Sequence, residues 1–332
     1  MSKDRYLRQT LIKDWDQDKL QRSTATIVGL GALGSVVASS LAMAGVGHLI
    51  LVDHDTVEIS NLNRQLLFQI SDVGKPKVTV AANKLRNMNK EIQIESFNQP
   101  FEKCPKKKLH TSTVLIEGLD TFASRRYVNT FAVASKIPLV SGGIYGFLGN
   151  IQVIVPFQTA CLDCQSLIPE EELQKACTPF GEERKTLRPE EGMEEDIPSV
   201  SSVSFVIGGL MAQEALKLLL GIPPVESYMF WDGRVGAFTS VPLERRDDCF
   251  VCSARFQLEN IPIRSSASQP LRDFMEQLQY SFNLGKNSII ILQASTLPIS
   301  EIPMGEVFMT GDTFRVIDPV LTNPLKFTIQ LD

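Results

Sequence analysis

The sequence lacks several features that would place it in a specialised class of protein. Its 332 residues carry a formal net charge of −5, so there is no general excess of basic side chains for binding nucleic acid. No uninterrupted apolar run reaches the length of a membrane span, and the polar N-terminal segment 1–9 does not resemble a signal peptide. We therefore expect a cytoplasmic protein that binds neither nucleic acid nor a membrane.

Cysteine is also scarce, with six residues in the whole chain. So few cysteines do not suggest a disulfide scaffold in a protein of this length. The hydrophobic fraction of 43% and the charged fraction of 21% are ordinary for a globular protein. A chain of this length can form one large domain and a smaller one.

The most informative stretch is a glycine-rich turn between a predicted strand and a predicted helix over 35–45. The turn has the GxGxxG pattern, formed by Gly29, Gly31 and Gly34. These glycines permit a tight turn and a close approach of the backbone to a phosphate, and the N-terminus of the helix attracts an anion. Asp53 ends the next predicted strand, about 20 residues further on, where a carboxylate can accept hydrogen bonds from a ribose. Together these features predict a nucleotide site.

Polar and basic residues follow the second predicted strand. Asn61 and Arg64 are three residues apart and would share one face of a helix. Lys75 and Lys77 flank Pro76 at the predicted start of another helix. Chemistry alone leaves two interpretations of these lysines equally open: exposed surface charges, or cations that bind a triphosphate.

Strands that alternate with helices along the first half of the chain predict a doubly wound α/β sheet. One of these buried strands, over 113–120, ends in Asp120. Ligands bind at the carboxyl edge of such a sheet, so Asp120 is a candidate ligand-binding residue. It is equally suited to cap the helix that begins near residue 123.

Four of the cysteines form two CxxC pairs, Cys161 with Cys164 and Cys249 with Cys252. Four thiolates can surround a zinc ion tetrahedrally, and each CxxC turn presents two sulfur atoms to one point. A redox function is the alternative, but two pairs without a thioredoxin-like context make it the weaker one. We predict a structural zinc site, with no open position for catalysis.

Cys177 lies between the two pairs in a polar segment, and the acidic composition of residues 182–196 predicts a mobile loop after it. Lys175, Arg184 and Lys185 are near it in sequence and would favour the nucleophilic thiolate. The alternative interpretation is an incidental surface cysteine.

The C-terminal part of the chain reads as a separate module. Residues 257–268 are predicted to be a linker. A helix over 271–284, a strand over 288–293 and a closing pair of strands around 313–317 and 326–331 follow it. This pattern predicts a small α+β module, which carries no catalytic cluster and is therefore interpreted as a binding module.

Residues 5–252 resemble the ubiquitin-activating enzyme superfamily, which includes the bacterial adenylating enzymes of molybdopterin and thiamine biosynthesis. The motifs that carry the resemblance are RYLRQ at 5–9, the glycine loop at 29–34, DHD at 53–55, SNLNRQ at 60–65, GKPK at 74–77 and both CxxC pairs. A dinucleotide-dependent dehydrogenase would explain the first strand–helix–strand unit and none of the later motifs. Residues 118–126 and 149–157 are similar to the ubiquitin-type enzymes in particular.

The resemblance implies the arrangement of the whole chain. An adenylation domain would occupy residues 1–256, as a doubly wound, Rossmann-like, mostly parallel α/β sheet with the structural zinc site. A crossover loop over 165–197 would carry Cys177. After the linker, a small α+β domain of ubiquitin-like fold over 269–332 would recruit a conjugating enzyme.

The resemblance also implies roles for individual residues. The nucleotide-binding set would be Gly29, Gly31, Gly34, Asp53, Asp55, Asn61, Arg64, Lys77 and Asp120. In this set Asp53 would hold the ribose, Asp120 would bind magnesium, and Asn61, Arg64 and Lys77 would hold the triphosphate of ATP. Arg8 would reach the phosphates in a partner subunit's site, which implies a homodimer.

We predict from these roles that the protein activates a small ubiquitin-like modifier. ATP would adenylate the C-terminal carboxylate of the modifier with the help of Arg8, Arg64 and Lys77, and Cys177 would then form a thioester. The alternative is a sulfur-carrier adenylase in which Cys177 is dispensable. A third interpretation is a scaffold that binds nucleotide and a modifier without catalysis.

Overall fold

The computed structural model describes residues 5–164, 198–225, 228–247, 249, 251–253, 261–282, 284–292, 295–298, 300–318 and 325–332. Cys177 and the loop 182–196 lie outside the described residues. The described chain divides into two compact units. The first unit consists of residues 5–125, 137–155 and 198–243, and the second of residues 126–136, 156–164 and 244–332.

The first unit is built on an eight-stranded sheet. Its strands are β1 (Thr24–Val28), β2 (His48–Val52), β3 (Gln93–Phe97), β4 (Val114–Glu117), β5 (Leu139–Tyr145), β6 (Leu148–Ile154), β7 (Tyr228–Asp232) and β8 (Ala237–Val241). They lie in the order β3-β2-β1-β4-β5-β6-β7-β8. The pairs from β3 to β5 are parallel, and those from β5 to β8 are antiparallel. The predicted parallel-rich α/β sheet is confirmed.

The helices that accompany this sheet are α1 (Gln17–Arg22), α2 (Ala32–Ala44), α3 (Lys77–Met88), α4 (Lys106–Leu109), α5 (Phe122–Ala134) and α6 (Ser201–Leu220). Residues of α5 up to Arg125 belong to the first unit and the later ones to the second. Helix α2 ends where the sequence predicts, at Gly45, which has a left-handed backbone with φ of 79°. Glycine adopts this conformation without strain, so it stops the helix.

Helix α6 packs against α2, and small residues bring the two together. A Cβ added to Gly208 would lie 2.8 Å from Val36 Cβ, so only glycine fits there. By length and composition α6 could cross a membrane, and 56% of its apolar stretch is buried inside the protein. Its residues Val203, Ile207 and Met211 belong to the hydrophobic core. We interpret α6 as a core helix of the first unit.

The second unit contains a five-stranded sheet. Its strands are β9 (Ile261–Ser265), β10 (Ile289–Leu292), β11 (Ser295–Leu297), β12 (Thr313–Ile317) and β13 (Leu325–Leu331), in the order β11-β10-β12-β13-β9. Helices α7 (Leu271–Ser281) and α8 (Met304–Val307) lie between the strands in sequence. Its core is rich in phenylalanine, with Phe274, Phe308, Phe314 and Phe327 fully buried. The second sheet and its helices agree with the predicted α+β composition, whereas the bounds of the module and its likeness to ubiquitin stay predictions.

One predicted boundary is wrong. Residues 261–265, which the sequence assigns to the linker over 257–268, form strand β9 and pair in parallel with β13. Their side chains alternate, with Ile261, Ile263 and Ser265 buried and Pro262 exposed. Proline is tolerated here because β9 is an edge strand of the sheet. The proline and serines suggested a linker, and the alternation of the isoleucines is the signal that was missed.

Candidate nucleotide edge and cysteine centre

The carboxyl ends of three neighbouring parallel strands meet at one edge of the first sheet. Val28 of β1 is in register with Val52 of β2 on one side and with Glu117 of β4 on the other. The segments that follow these strands therefore begin at the same level of the sheet. They are the glycine turn from Gly29, the acidic stretch from Asp53, and the loop 118–121. We call this region the nucleotide edge.

The glycine turn has the geometry that its sequence predicts. Gly29 has a φ of +84°, which a residue with a side chain rarely adopts. A Cβ on Gly34 would lie 1.8 Å from the carbonyl oxygen of Gly29, so only glycine permits this contact between helix and turn. Helix α2 starts directly after Gly31 and has no side-chain cap. Its first N–H groups therefore point toward the nucleotide edge, where they can bind an anion.

Asp53 ties the acidic stretch to the glycine turn. Its carboxylate accepts a hydrogen bond from the backbone N–H of Leu30 at 2.6 Å and another from that of Asp55 at 2.8 Å. The side chain is largely buried, with 8% of Asp53 exposed. Burial raises the pKa of this carboxyl, and the charge of Lys77 opposes the increase. Asp53 thus shapes the turn, and its contact with a ribose stays a prediction.

The two lysines of the GKPK motif differ in the exposure of their side chains, although their chemistry alone does not distinguish them. Lys77 is the first residue of α3, its side chain is 8% exposed, and its Nζ lies 2.9 Å from Asp55 Oδ2. The Lys75 side chain is 58% exposed and donates to the carbonyl of Ser71. Lys77 is thus a buried cation at the nucleotide edge, and Lys75 is a surface charge.

Asn61 and Arg64 lie in the loop that follows β2 and are held by bonds within it. Asn61 Oδ1 accepts from the backbone N–H of Glu58 at 3.1 Å, and the side chain is buried. The Arg64 guanidinium donates to the carbonyl oxygen of Ser60 at 2.7 Å and to the side chain of Asn63 at 3.0 Å. These bonds fix the loop, and the predicted contacts with a triphosphate stay a prediction.

Asp120 and Arg8 are exposed members of the predicted set, as is Asp55. The hydroxyl of Thr121, and not Asp120, accepts from the backbone N–H of Ser124 at the start of α5. This removes the helix-capping interpretation and leaves the Asp120 carboxylate displayed in the loop after β4. Arg8 precedes the short helix Gln9–Leu11. Its predicted reach into a partner subunit stays a prediction.

A buried ionic cluster, missed by the sequence analysis, supports the loop after β4. Glu117 is fully buried at the end of β4, and the Arg125 Nε lies 3.0 Å from its Oε1. Ser141 of β5 donates a hydrogen bond to the same carboxylate. A charged residue at the end of an apolar strand was the available signal, because burying it requires a partner.

The four paired cysteines form a second centre, in the second unit. All four are buried, and their Sγ atoms lie within 4.8 Å of one another. The Sγ–Sγ separations are 3.9 Å for Cys161–Cys164, 3.6 Å for Cys161–Cys249 and 3.3 Å for Cys164–Cys252. Zn–S bonds of about 2.3 Å in a tetrahedron would separate the sulfur atoms by about 3.8 Å. The cluster therefore has dimensions that fit a zinc ion.

Asp163, inside the first CxxC turn, is a supporting residue that sequence reasoning did not identify. Its carboxylate accepts from Arg126 Nε at 2.7 Å and from Asn129 Nδ2 at 2.8 Å, both on α5. The Asn129 Oδ1 in turn accepts from the backbone N–H of Leu162 at 3.3 Å. These bonds fix the orientation of the turn that carries Cys161 and Cys164. The acidic residue between two cysteines was the available signal.

Comparison with known proteins identifies the family. Residues 4–251, most of the chain, match the ThiF family. The chain belongs to the ThiF family. This family groups it with ubiquitin-like activating enzymes and with bacterial adenylyltransferases, as the sequence resemblance implies.

Two relatives and one solved structure illustrate the range of this similarity. The chain is 34% identical to the sulfur carrier protein ThiS adenylyltransferase of Escherichia coli, a match that covers 75% of this chain and 94% of the relative. It is 28% identical to the NEDD8-activating enzyme E1 catalytic subunit of Caenorhabditis elegans, with 95% of this chain and 91% of the relative covered. The crystal structure of E. coli MccB with ATP superposes with a TM-score of 0.60 at 25% identity, over 76% of this chain and 75% of MccB.

Proposed function

We propose that the protein uses ATP to adenylate the C-terminal carboxylate of a small carrier protein of ubiquitin-like fold. The observation that carries the proposal is the nucleotide edge in a member of the ThiF family. There the glycine turn, the buried carboxylate of Asp53 and the buried ammonium of Lys77 belong to segments that start at the same edge of the sheet. The names of the relatives in Escherichia coli and the ATP in the MccB structure support the same reaction class.

The residues at the edge suit the parts of ATP. The N-terminus of α2 and the glycine turn would bind phosphate oxygens, and Asp53 would accept from the ribose. Lys77, Asn61 and Arg64 would hold the triphosphate, with Asp55 orienting Lys77 through their ion pair. The exposed carboxylate of Asp120 offers oxygen ligands of the kind that magnesium prefers. When bound, magnesium would neutralise charge on the departing pyrophosphate.

The proposed step is an in-line displacement at the α-phosphorus of ATP. A carboxylate oxygen of the carrier forms a bond to this phosphorus, and the bond to the oxygen that bridges the α- and β-phosphates breaks. Pyrophosphate leaves with the electron pair, and the carrier becomes a mixed anhydride with AMP. Positive charge from Lys77 and Arg64 would stabilise the negative charge that develops on the leaving group.

We favour a sulfur carrier as the substrate, with no thioester on the enzyme. Relatives whose names state adenylation of ThiS or a sulfur carrier reach 34% and 32% identity. The relative with the NEDD8-activating name reaches 28%. These identities support the sulfur-carrier alternative better than our first interpretation, in which Cys177 forms a thioester.

In a second candidate function the enzyme forms a thioester at Cys177, and the length of one match favours this function. The match to the NEDD8-activating subunit covers 95% of the chain, whereas the ThiS adenylyltransferase match covers 75%. In this candidate the Cys177 thiolate would attack the acyl carbon and release AMP. The C-terminal module would then present a conjugating enzyme, and Arg8 would complete the site of the other subunit in a homodimer. A reductant-sensitive adduct of carrier and enzyme on a non-reducing gel, absent from Cys177→Ala, would support this candidate.

We also propose that the four paired cysteines hold a structural zinc ion. Their sulfur separations fit a tetrahedron, and four protein thiolates leave no open position for a substrate. The ion would join the two CxxC turns of the second unit. Metal analysis of the purified protein, with Cys252→Ser as the variant that loses the metal, tests this assignment.

Pyrophosphate exchange into ATP tests the proposed adenylation. The assay would contain the full chain, Mg²⁺, ATP, labelled pyrophosphate and a panel of purified ubiquitin-fold carriers that includes ThiS. We expect Lys77→Met to lower the exchange rate at least a hundredfold, because it removes the buried cation from the nucleotide edge. Lys75→Met is the matched control, since this neighbouring lysine is exposed, and it should exchange like the wild type.

The outcomes separate adenylation from the scaffold without catalysis. Equal loss in both lysine variants would show that Lys77 has no special role and would contradict the proposed site. Tight ATP binding by the wild type without exchange for any carrier would instead favour the scaffold without catalysis.

A further inference from the structure

The ionic cluster beside the nucleotide edge has no direct part in the proposed contacts with ATP. It consists of Glu117 at the end of β4, Arg125 in the first turn of α5, and Ser141 in β5. Glu117 is fully buried, and Arg125 is 6% exposed. Arg125 Nε lies 3.0 Å and 3.2 Å from the two carboxylate oxygens of Glu117. Its Nη2 donates to Ser141 Oγ at 3.1 Å and to the carbonyl oxygen of Gly142.

Glu117 also holds the loop that follows it. Its Oε2 accepts from the backbone N–H of Leu119 at 3.0 Å, next to the proposed magnesium-binding residue Asp120. The carboxylate thus accepts from three donor groups, on Leu119, Arg125 and Ser141. The side chain can therefore keep one orientation, and the loop with it.

The held loop lies directly on the glycine turn. Gly118 donates its backbone N–H to the carbonyl oxygen of Val28 at 3.3 Å. A Cβ on Gly29 would be 3.1 Å from Leu119 Cδ2, and a Cβ on Gly118 would be 3.0 Å from Leu33 Cβ. The loop and the turn are thus in van der Waals contact, so a displacement of the loop would also displace the phosphate-binding turn.

We propose that Glu117, Arg125 and Ser141 form a positioning cluster for magnesium–ATP. The cluster holds loop 118–121 on the glycine turn and so fixes Asp120 where the metal bound to the phosphates needs its ligand. A buried ion pair contributes little net stability compared with apolar side chains, so we assign to this one the orientation that it imposes on the loop. The proposal rests on the proposed function, because it assumes that Asp120 binds magnesium with ATP.

The test compares ATP binding with and without Mg²⁺ in the full chain by isothermal titration calorimetry. The variants are Asp120→Asn, Glu117→Gln and the double variant. Glutamine keeps the size of Glu117, but its amide group cannot accept from all three donors. We expect Mg²⁺ to tighten ATP binding in the wild type, and this gain to fall at least tenfold in each single variant.

The double variant distinguishes positioning from a general loss of structure. If Glu117 acts through Asp120, the double variant loses no more of the magnesium-dependent gain than Asp120→Asn alone. Full retention of the gain in Glu117→Gln, or losses that multiply in the double variant, would overturn the positioning role. A wild type that binds no ATP would instead overturn the proposed function, so the two failures are distinguishable.

Two further variants guard against misfolding and nonspecific effects. Ser141→Ala removes one donor to Glu117 but keeps the ion pair, so it should fold and show a smaller loss of the same gain. Glu214→Gln is the matched control. Glu214 is also buried, pairs with Lys217 at 2.9 Å and accepts from the backbone N–H of Val225 at 2.8 Å, but it lies on α6. Its variant should keep the magnesium-dependent gain, and an equal loss there would overturn the proposal.

Discussion

The nucleotide edge of the first sheet and the interior of the second sheet bury very different side chains. At the edge, the buried residues carry charge: Asp53, Lys77, Glu117 and Arg125 are each at most 8% exposed. In the second sheet, the fully buried large side chains are phenylalanines, with Phe314 and Phe327 stacked at a centroid distance of 5.1 Å. Each unit has an aliphatic or aromatic core, and four buried charged residues of the first unit lie near the three strand ends.

The contrast indicates which buried residues serve ligand binding and which stabilise the fold. Removing a charge from water costs free energy, and even a good ion pair seldom gains more than an apolar replacement would. Aromatic side chains, in contrast, contribute through the area that they bury and through their edge and stacking contacts. We therefore expect substitutions at the edge to affect ligand binding, and substitutions in the phenylalanine core to affect folding.

The largest effect on stability should come from Phe314→Ala. Phe314 contacts the rings of Phe274, Phe308 and Phe327 at centroid distances of 5.9, 5.2 and 5.1 Å. Deleting a buried phenylalanine side chain costs about 3–5 kcal/mol, because the cavity does not fully close. Urea unfolding measures this loss, and ATP binding by the folded protein should be unchanged.

Ile317→Ala on the same strand is the control for the phenylalanine core. Ile317 points to the exposed face of β12 and is 37% exposed, so the loss should be below about 1 kcal/mol. Equal losses of unfolding free energy in the two variants, or weaker ATP binding by Phe314→Ala, would contradict the division between an edge that binds ligand and a core that stabilises the fold.

An intermediate effect should follow from Asp72→Asn in the first unit. Asp72 is 6% exposed, accepts from Lys84 and from the backbone N–H of Gln69, and so closes the loop before α3. Burial alone would raise the pKa of its carboxyl, but these hydrogen bonds outweigh burial and lower it. The loss should be about 1–3 kcal/mol at neutral pH, as for hydrogen bonds to a charged group.

The pH dependence of the Asp72→Asn effect has a definite sign. A lowered pKa in the folded state stabilises the protein above the unfolded pKa, and this stability disappears as the pH falls through the folded pKa. Urea unfolding at pH 7 and in acid should therefore give a larger difference between wild type and variant at pH 7. A difference that is the same at both pH values would contradict the assigned ion pair.

The smallest expected effect on stability is that of Asp53→Asn, and its pH dependence has the opposite sign to that of Asp72→Asn. Burial raises the pKa of this carboxyl above its ordinary value of 3.8 in spite of Lys77. Its contribution to stability is therefore complete below the unfolded pKa and is lost as the pH rises through the folded value. The stability of Asp53→Asn relative to wild type should improve with rising pH, by about 1 kcal/mol at most. Urea unfolding measures both differences. If the free energies of unfolding of Asp53→Asn and Asp72→Asn, each relative to wild type, change with pH in the same direction, the distinction between a functional and a structural carboxylate is wrong.

Local patterns were enough to predict much of the fold and of the candidate site. The glycine turn follows from local geometry, because the positive φ of Gly29 and the close contact at Gly34 leave no other residue possible. All four paired cysteines can bind the same metal ion, so the sequence predicts that the two CxxC turns meet in the fold, although 88 residues separate Cys161 from Cys249.

Features that depend on tertiary contacts could not be predicted in this way. Lys75 and Lys77 have the same charge and motif, and only the packing of α3 decides which one is buried. Strand β9 depends on its pairing with β13, more than 60 residues away. Glu117 and Arg125 become partners because a strand end and a helix start meet beneath the loop. The role of Cys177 stays a prediction, since this residue lies outside the described residues.

The most direct test of the central claim combines pyrophosphate exchange into ATP with a non-reducing gel, for the wild type and for Cys177→Ala, with the same panel of carriers. Adenylation at the nucleotide edge without an enzyme thioester predicts carrier-dependent exchange at equal rates in both proteins and no reductant-sensitive adduct of enzyme and carrier in either. An adduct that forms in the wild type and is absent from Cys177→Ala, or a wild type without carrier-dependent exchange, would contradict the account.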